Sequence, residues 1–199
     1  LVELRVDCLD EDEQLIVKKF PSMISKPCIL TIRRDIDGGK FTGSEFSRIN
    51  LFARALAFAN QDRSKNFAYV DFEEDFHIPS IQDAALAFDV KIIRSVHNMT
   101  GPILNLKERC DNMRKTGYEI PKIAFMPSCL NDVLNMFNEG QKIEYDHIFC
   151  AMGPIGFPSR ILSERSNSYL SFTSPQETLV NVPIPATYTK LLSLIIPQS

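Results

Sequence analysis

Apolar runs of roughly five to seven residues recur along the chain, each followed by a loop and then by apolar residues at helical spacing. Residues 1–7 open the series, with Val2, Leu4 and Val6 alternating with Glu3, Arg5 and Asp7. Further runs at 27–33, 67–73, 91–97, 121–127, 146–152 and 169–174 are predicted strands. Between them, 10–20, 44–61, 80–88, 103–115, 131–137, 159–164 and a terminal 186–195 have helical character. Asp10 to Glu13 places acid at the start of the first helix and Lys18 and Lys19 at its end, the order favoured by the helix dipole. Ser44 is a natural N-cap for the second helix. Strands alternating with helices require a parallel sheet covered by helices, either open and doubly wound or closed as a (β/α)8 barrel.

The position of the unusual residues selects the barrel. Arg33, Glu73, His97, Lys122 and the loop before Arg160 lie in or just after different strands, and a barrel gathers the C-terminal ends of all its strands around one mouth. An open sheet brings together only those flanking a switch point. Seven predicted strands leave the barrel one short, and the missing strand is expected upstream of residue 1. One barrel domain over 1–199, belonging to a longer or multifunctional chain, is the expected organisation.

Composition narrows the function class. A net charge of -3 supplies no basic field for nucleic acid, and no apolar run reaches the roughly 20 residues of a membrane-spanning helix. Cys8, Cys28, Cys110, Cys129 and Cys150 are scattered, without the paired spacing of a zinc site, and read as reduced thiols of a cytoplasmic protein. No metal site is expected. The glycines at Gly38, Gly39, Gly153 and Gly156 form no phosphate-loop pattern.

The chemistry concentrates on Lys122, set in the apolar run Pro121-Lys122-Ile123-Ala124-Phe125-Met126-Pro127. An ammonium facing the interior costs several kcal/mol unless it is paired or gives up its proton. A neutral amine in a dry pocket attacks ketones; a lysine at a strand edge merely reaches for water. His97 ends the preceding strand, and an imidazole there would exchange protons with an imine at neutral pH. His77 and His147 read as structural or surface residues. Arg5, Arg33 and Arg160 would form a cationic ring around the same mouth, able to bind an anion and to favour the neutral form of a nearby amine. Glu3 and Asp37 would orient arginines, hydroxyls or His97.

With these residues in place, the sequence resembles the type I 3-dehydroquinate dehydratases. The matching segments, in family order, are Glu3-Leu4-Arg5-Val6-Asp7, Thr31-Ile32-Arg33 with Gly38-Gly39, Asp71-Phe72-Glu73, Ser95-Val96-His97-Asn98, Pro121-Lys122-Ile123-Ala124, and Met152-Gly153 through Gly156 to Ser159-Arg160. The resemblance implies a barrel without metal or organic cofactor that acts on 3-dehydroquinate, is often a homodimer and is often fused to shikimate dehydrogenase. It implies Lys122 as the imine-forming lysine and His97 as the general acid/base. Arg33, Arg160, Glu3 and Arg5 are the implied substrate contacts. Asp37 stands where the family usually has Glu. The family's closing loop carries a serine and Pro-Gly-Gln, whereas here the segment reads Asn181-Val182-Pro183-Ile184-Pro185, which makes Asn181 the expected contact and Gln176 or Ser174 its alternates. A barrel that binds a quinate-like ligand without turning it over is the alternative reading, and a different Schiff-base lyase, such as an aldolase, a third.

Overall fold

The computed structural model describes residues 1–57, 60 and 62–173. They fall into two compact units, Leu1–Ser95 with Thr116–Glu119, and Val96–Lys115 with Ile120–Ser199. In the first unit, β1 (Val2–Arg5), β2 (Cys28–Thr31), β3 (Tyr69–Glu73) and β4 (Lys91–Asn98, whose last three residues belong to the second unit) pair in sequence order, all parallel. The register sets Glu3 beside Ile29, Thr31 beside Asp71, and Glu73 beside Ser95. In the second unit, β5 (Ile120–Phe125) pairs in parallel with β6 (Ile148–Ala151), Lys122 beside Ile148.

The helices begin where the sequence placed their caps. Asp10 Oδ1 accepts from the Glu13 amide at 2.8 Å while Glu13 Oε2 accepts from the Asp10 amide at 3.1 Å, a reciprocal capping box opening α1 (Glu11–Leu15). The rest of the predicted 10–20 helix divides into a 3-10 turn and α2 (Phe20–Met23). Ser44 Oγ caps α3 (Glu45–Leu56) through the Ser47 amide at 3.1 Å. The remaining helices are α4 (Pro79–Ala87), α5 (Leu106–Met113), α6 (Leu130–Gly140) and α7 (Phe157–Ile161).

Six strands stand among the described residues where seven were expected. Residues 169–173 of the predicted seventh are not a strand; side chains and single backbone bonds anchor them instead, Ser168 Oγ accepting from the Phe149 amide and the Tyr169 amide donating to the His147 carbonyl. Ser174, Gln176, Asn181 and the predicted helix 186–195 lie outside the described residues.

Each strand turns one face to the helices. In the first unit Leu30, Ile32, Val70, Phe72 and Ile92 pack with Phe52, Ala55 and Leu56 of α3 and with Ile81 and Ala85 of α4. In the second, Ile123, Phe125, Phe149 and Ala151 pack with Leu106, Cys110 and Met113 of α5 and Val133 and Met136 of α6. Burial pushes the Cys110 thiol up to about 12, so it is an inert thiol of this core.

One helix residue breaks the apolar rule. Arg48 lies on the buried stripe of α3 with no solvent exposure, and its Nη1 donates to Glu73 Oε2 at 2.5 Å and to the Ile32 carbonyl at 3.2 Å. Its other nitrogens donate to Glu45, and its guanidinium lies 5.1 Å from the Phe76 ring centroid. The loop after β2 is held in a similar way by Asp7, which accepts from Arg5 Nε and Nη2, the Arg33 amide and the Lys40 amide at 2.6–3.2 Å. Gly39 is required there, because a Cβ would collide with the Arg33 backbone.

Removing Arg48 leaves Glu73 Oε2 without its partner while Arg33 still holds Oε1, so Arg48→Ala is expected to lower unfolding free energy by about 1–3 kcal/mol, measured by denaturant titration. Burial pushes the Asp7 carboxyl up, but the Arg5 hydrogen bonds and charge and the Lys40 and Arg33 amides outweigh it and hold the group below its usual range. Its stabilisation is therefore complete above the unfolded value of about 3.9 and fades as pH falls through the lower folded value. Melting temperature should drop across that acid window, and Asp7→Asn should remove that part of the pH dependence.

Candidate active site

Lys122 occupies the middle of β5, every residue of which is buried, and is itself 6 % exposed. Its amine does not reach for water as an edge lysine would. Strand alternation explains the placement: Ile123 and Phe125 point to α5 and α6, so Lys122 and Ala124 occupy the opposite face, where Ala124 packs with Cys150 and Met152. Nζ lies 4.3 Å from the centroid of the Phe172 ring.

His97 is half-buried near the end of β4. Val96 packs with the helix-facing core of the second unit, so its neighbour His97 takes the Lys122 face. The Met126 amide donates to the Asn98 carbonyl at 2.9 Å, which carries the end of β4 alongside the end of β5. The predicted acid/base and the predicted nucleophile thus stand on adjacent strands, on one face.

Arg160 joins this group from α7. It is 7 % exposed; Nε donates to the Ala151 carbonyl at 3.3 Å and Nη1 to the Phe172 carbonyl at 3.2 Å. Among the described residues no carboxylate pairs with it, so its charge is balanced only by neutral carbonyl dipoles. Such a buried guanidinium is a seat for an anion. Gly153 (φ 68°) and Gly156 shape the turn that delivers it, since a Cβ at Gly156 would collide with the Ala151 and Met152 backbone. Ser159 Oγ closes the turn by donating to the Gly156 carbonyl at 2.7 Å.

Phe172 was not singled out by the sequence. It lies in the stretch predicted as a strand, yet its carbonyl holds Arg160 and its ring covers Lys122. A lone aromatic between serine and threonine carries no signal of such a role.

The other predicted residues belong to the first unit, which has its own buried polar face. Arg33 Nη1 donates to Glu73 Oε1 and Ser95 Oγ, both at 2.9 Å, and Nη2 pairs with Asp71 at 2.8 Å. Ser95 Oγ in turn donates to Asp71 at 2.5 Å. Burial alone would disfavour the Arg33 cation, but Asp71 and Glu73 more than compensate and push its pKa upward. Glu3 Oε1 accepts from Thr31 Oγ1 at 2.9 Å, and the partly exposed Arg5 forks onto Asp7. Asp37 accepts from Arg34 Nε at 2.7 Å, and Arg34 also holds Asp75. The three predicted arginines are therefore electrostatically unlike: Arg5 and Arg33 are already matched by acids, whereas Arg160 is not. Among the described residues no group of His, Cys, Asp and Glu could hold a metal ion, and no helix is long and apolar enough to cross a membrane.

Comparison with known proteins identifies the family. The family pattern described as type I 3-dehydroquinase matches residues 1–192. A 3-dehydroquinate dehydratase of Methanocaldococcus jannaschii is 31% identical over 180 residues, covering 87% of this chain and 76% of that protein. The chloroplastic bifunctional 3-dehydroquinate dehydratase/shikimate dehydrogenase of Arabidopsis thaliana is 30% identical over 98% of this chain, which spans about a third (32%) of that protein's length. Among solved structures, the 3-dehydroquinate dehydratase of Aquifex aeolicus superposes with a TM-score of 0.80 at 22% identity, covering 100% of this chain and 89% of that one. That of Geobacillus kaustophilus gives 0.82 at 22% identity over 98% of this chain and 79% of its own. The likeness in fold is to the (β/α)8 barrels of this class, and by the family match over residues 1–192 the chain belongs to the type I 3-dehydroquinase family.

Proposed function

We propose that the chain dehydrates 3-dehydroquinate to 3-dehydroshikimate through an imine on Lys122. The observation that carries this reading is the buried Lys122 amine on one strand face with His97, joined through Phe172 to an Arg160 that no carboxylate among the described residues neutralises. The substrate offers the matching groups, a ketone for the amine and a carboxylate for the guanidinium.

In this reading neutral Lys122 adds to the C3 carbonyl carbon, and loss of water leaves a protonated imine that withdraws electrons from C2. His97 removes a C2 proton; the electron pair forms the C1–C2 double bond as the C1 hydroxyl departs, protonated by His97, as water. Water then adds to the imine carbon and releases the product and the free amine. One imidazole serves these transfers because they occur in sequence. Phe172 covers the amine on one side and helps to screen it from bulk water. The substrate carboxylate is assigned to Arg160 and not to Arg33, whose charge Asp71 and Glu73 already match. The Arabidopsis bifunctional relative supports the further reading that this dehydratase works beside a shikimate dehydrogenase.

Incubation with 3-dehydroquinate and borohydride should leave a reduced adduct on Lys122, with turnover visible as growth of enone absorbance. Lys122→Ala should abolish both. Arg160→Gln should lower kcat/KM by an amount equivalent to about 2–5 kcal/mol, mostly as a higher KM, because a buried charge pair is lost on binding. Binding without adduct or enone would favour the alternative of a ligand-sensing barrel.

A further inference from the structure

His147 is fully buried at the entrance to β6, and the mechanism makes no use of it. Its Nδ1 lies 3.0 Å from the Tyr145 carbonyl oxygen and its Nε2 lies 2.8 Å from the Ser166 carbonyl oxygen. Both partners are backbone carbonyls, which only accept. A neutral imidazole has one N–H, so in either tautomer its other nitrogen would turn a lone pair on a carbonyl lone pair. Only the imidazolium satisfies both contacts. The ring is fully buried and packs against Phe149, centroids 4.7 Å apart.

Ser166 does not stand alone. It closes a 3-10 turn (Ser163–Ser166) whose carbonyl is pressed onto Gly140 at the end of α6, where a Cβ would overlap it. Beyond it, Ser168 Oγ accepts from the Phe149 amide, the Tyr169 amide donates to the His147 carbonyl at 2.7 Å, and Ser171 Oγ donates to the Arg160 carbonyl at 3.2 Å. Next comes Phe172, on Lys122 and Arg160. The imidazole therefore stands at the root of the irregular segment whose far end covers the amine.

We propose that His147 is a positioning residue: as an imidazolium bonded to the Tyr145 and Ser166 carbonyls, it fixes the segment from Ser163 to Phe172 so that Phe172 seats on Lys122 and Arg160. The part concerning catalysis rests on Lys122 acting as proposed above; the part concerning the segment does not. Loss of the ring proton as pH rises breaks one of the two bonds and replaces it with repulsion, so Phe172 is seated at the acid side and loosened at the alkaline side. The charged groups on the surrounding elements do not bond to the ring. Glu144 and Asp146, before β6, are exposed, as are Lys142 after α6 and Glu164 and Arg165 in the turn. Glu139 of α6 is taken by Lys142 and the Lys107 amide, and Tyr145 by Asp111.

The test is nitrogen NMR of the full chain with labelled histidine, His147 being identified by the signal lost in His147→Gln. Both ring nitrogens of His147 should read as protonated wherever the Phe172 ring is seated, and a neutral ring should be found only where that contact is lost. Contacts between the Phe172 ring and the Lys122 side chain should weaken with that same titration. In turnover, His147→Gln, which keeps a single N–H donor, should raise KM about tenfold at the acid side, the weight of one hydrogen bond, and erase the wild-type step in KM with pH. The His97 limb of kcat should remain. A neutral His147 of one tautomer throughout, or a Phe172–Lys122 contact indifferent to the proton, overturns the proposal. Should the variant fail to fold, the wild-type titration decides alone, with the signals of His77 and His97 assigned by their own substitutions. Failure to trap an imine would remove the reading of Lys122 and leave the NMR result to judge the segment.

Discussion

A parallel strand that carries an amine in its interior depends on strict alternation of its neighbours. Ile123 and Phe125 bury their side chains against α5 and α6, and this commits Lys122 and Ala124 to the other face. A slip of one residue would drive the ammonium into the apolar layer and expose Phe125, so register is enforced from both sides. The same period of two sorts the first unit, with Leu30, Ile32, Val70 and Phe72 towards the helices and Thr31, Arg33, Asp71, Glu73 and Ser95 away from them. Polar residues accumulate on the faces that the helices do not cover.

Once polar groups are buried, their partners decide what they can do. Arg33 is held by two carboxylates and a hydroxyl, and a guanidinium so neutralised has little left to offer an anion. Glu73 is shared between Arg33 and Arg48, which ties the face of the sheet to α3. Arg160 differs because its partners among the described residues are carbonyl oxygens, which orient the cation without cancelling its charge. Residue type alone groups the three predicted arginines, whereas their surroundings separate them.

Irregular backbone does the work that a strand was expected to do. A strand over 169–174 would fix its residues through a ladder; the described part is instead anchored by Ser168, the Tyr169 amide, Ser171 and the Ser166 carbonyl, through isolated bonds to separate partners. Single anchors can be released one at a time. That makes the segment beside Lys122 sensitive to the state of one imidazole in a way that a ladder would not be.

The sequence by itself determined the alternation of strands and helices, the caps at Asp10 and Ser44, the interior position of Lys122 and the strand end occupied by His97, because these follow from local periodicity and short-range hydrogen bonding. Its matching segments also lay in the order of the family to which the chain belongs. Only the tertiary structure decided that Arg48 pairs with a strand glutamate 25 positions away, that Arg33 is matched by acids while no carboxylate among the described residues pairs with Arg160, and that Phe172 covers Lys122. It alone showed both nitrogens of His147 facing carbonyl oxygens. The reason is physical: a backbone carbonyl is the same group at every residue and a side chain pairs across any separation in the chain, so neither leaves a periodic trace in the sequence.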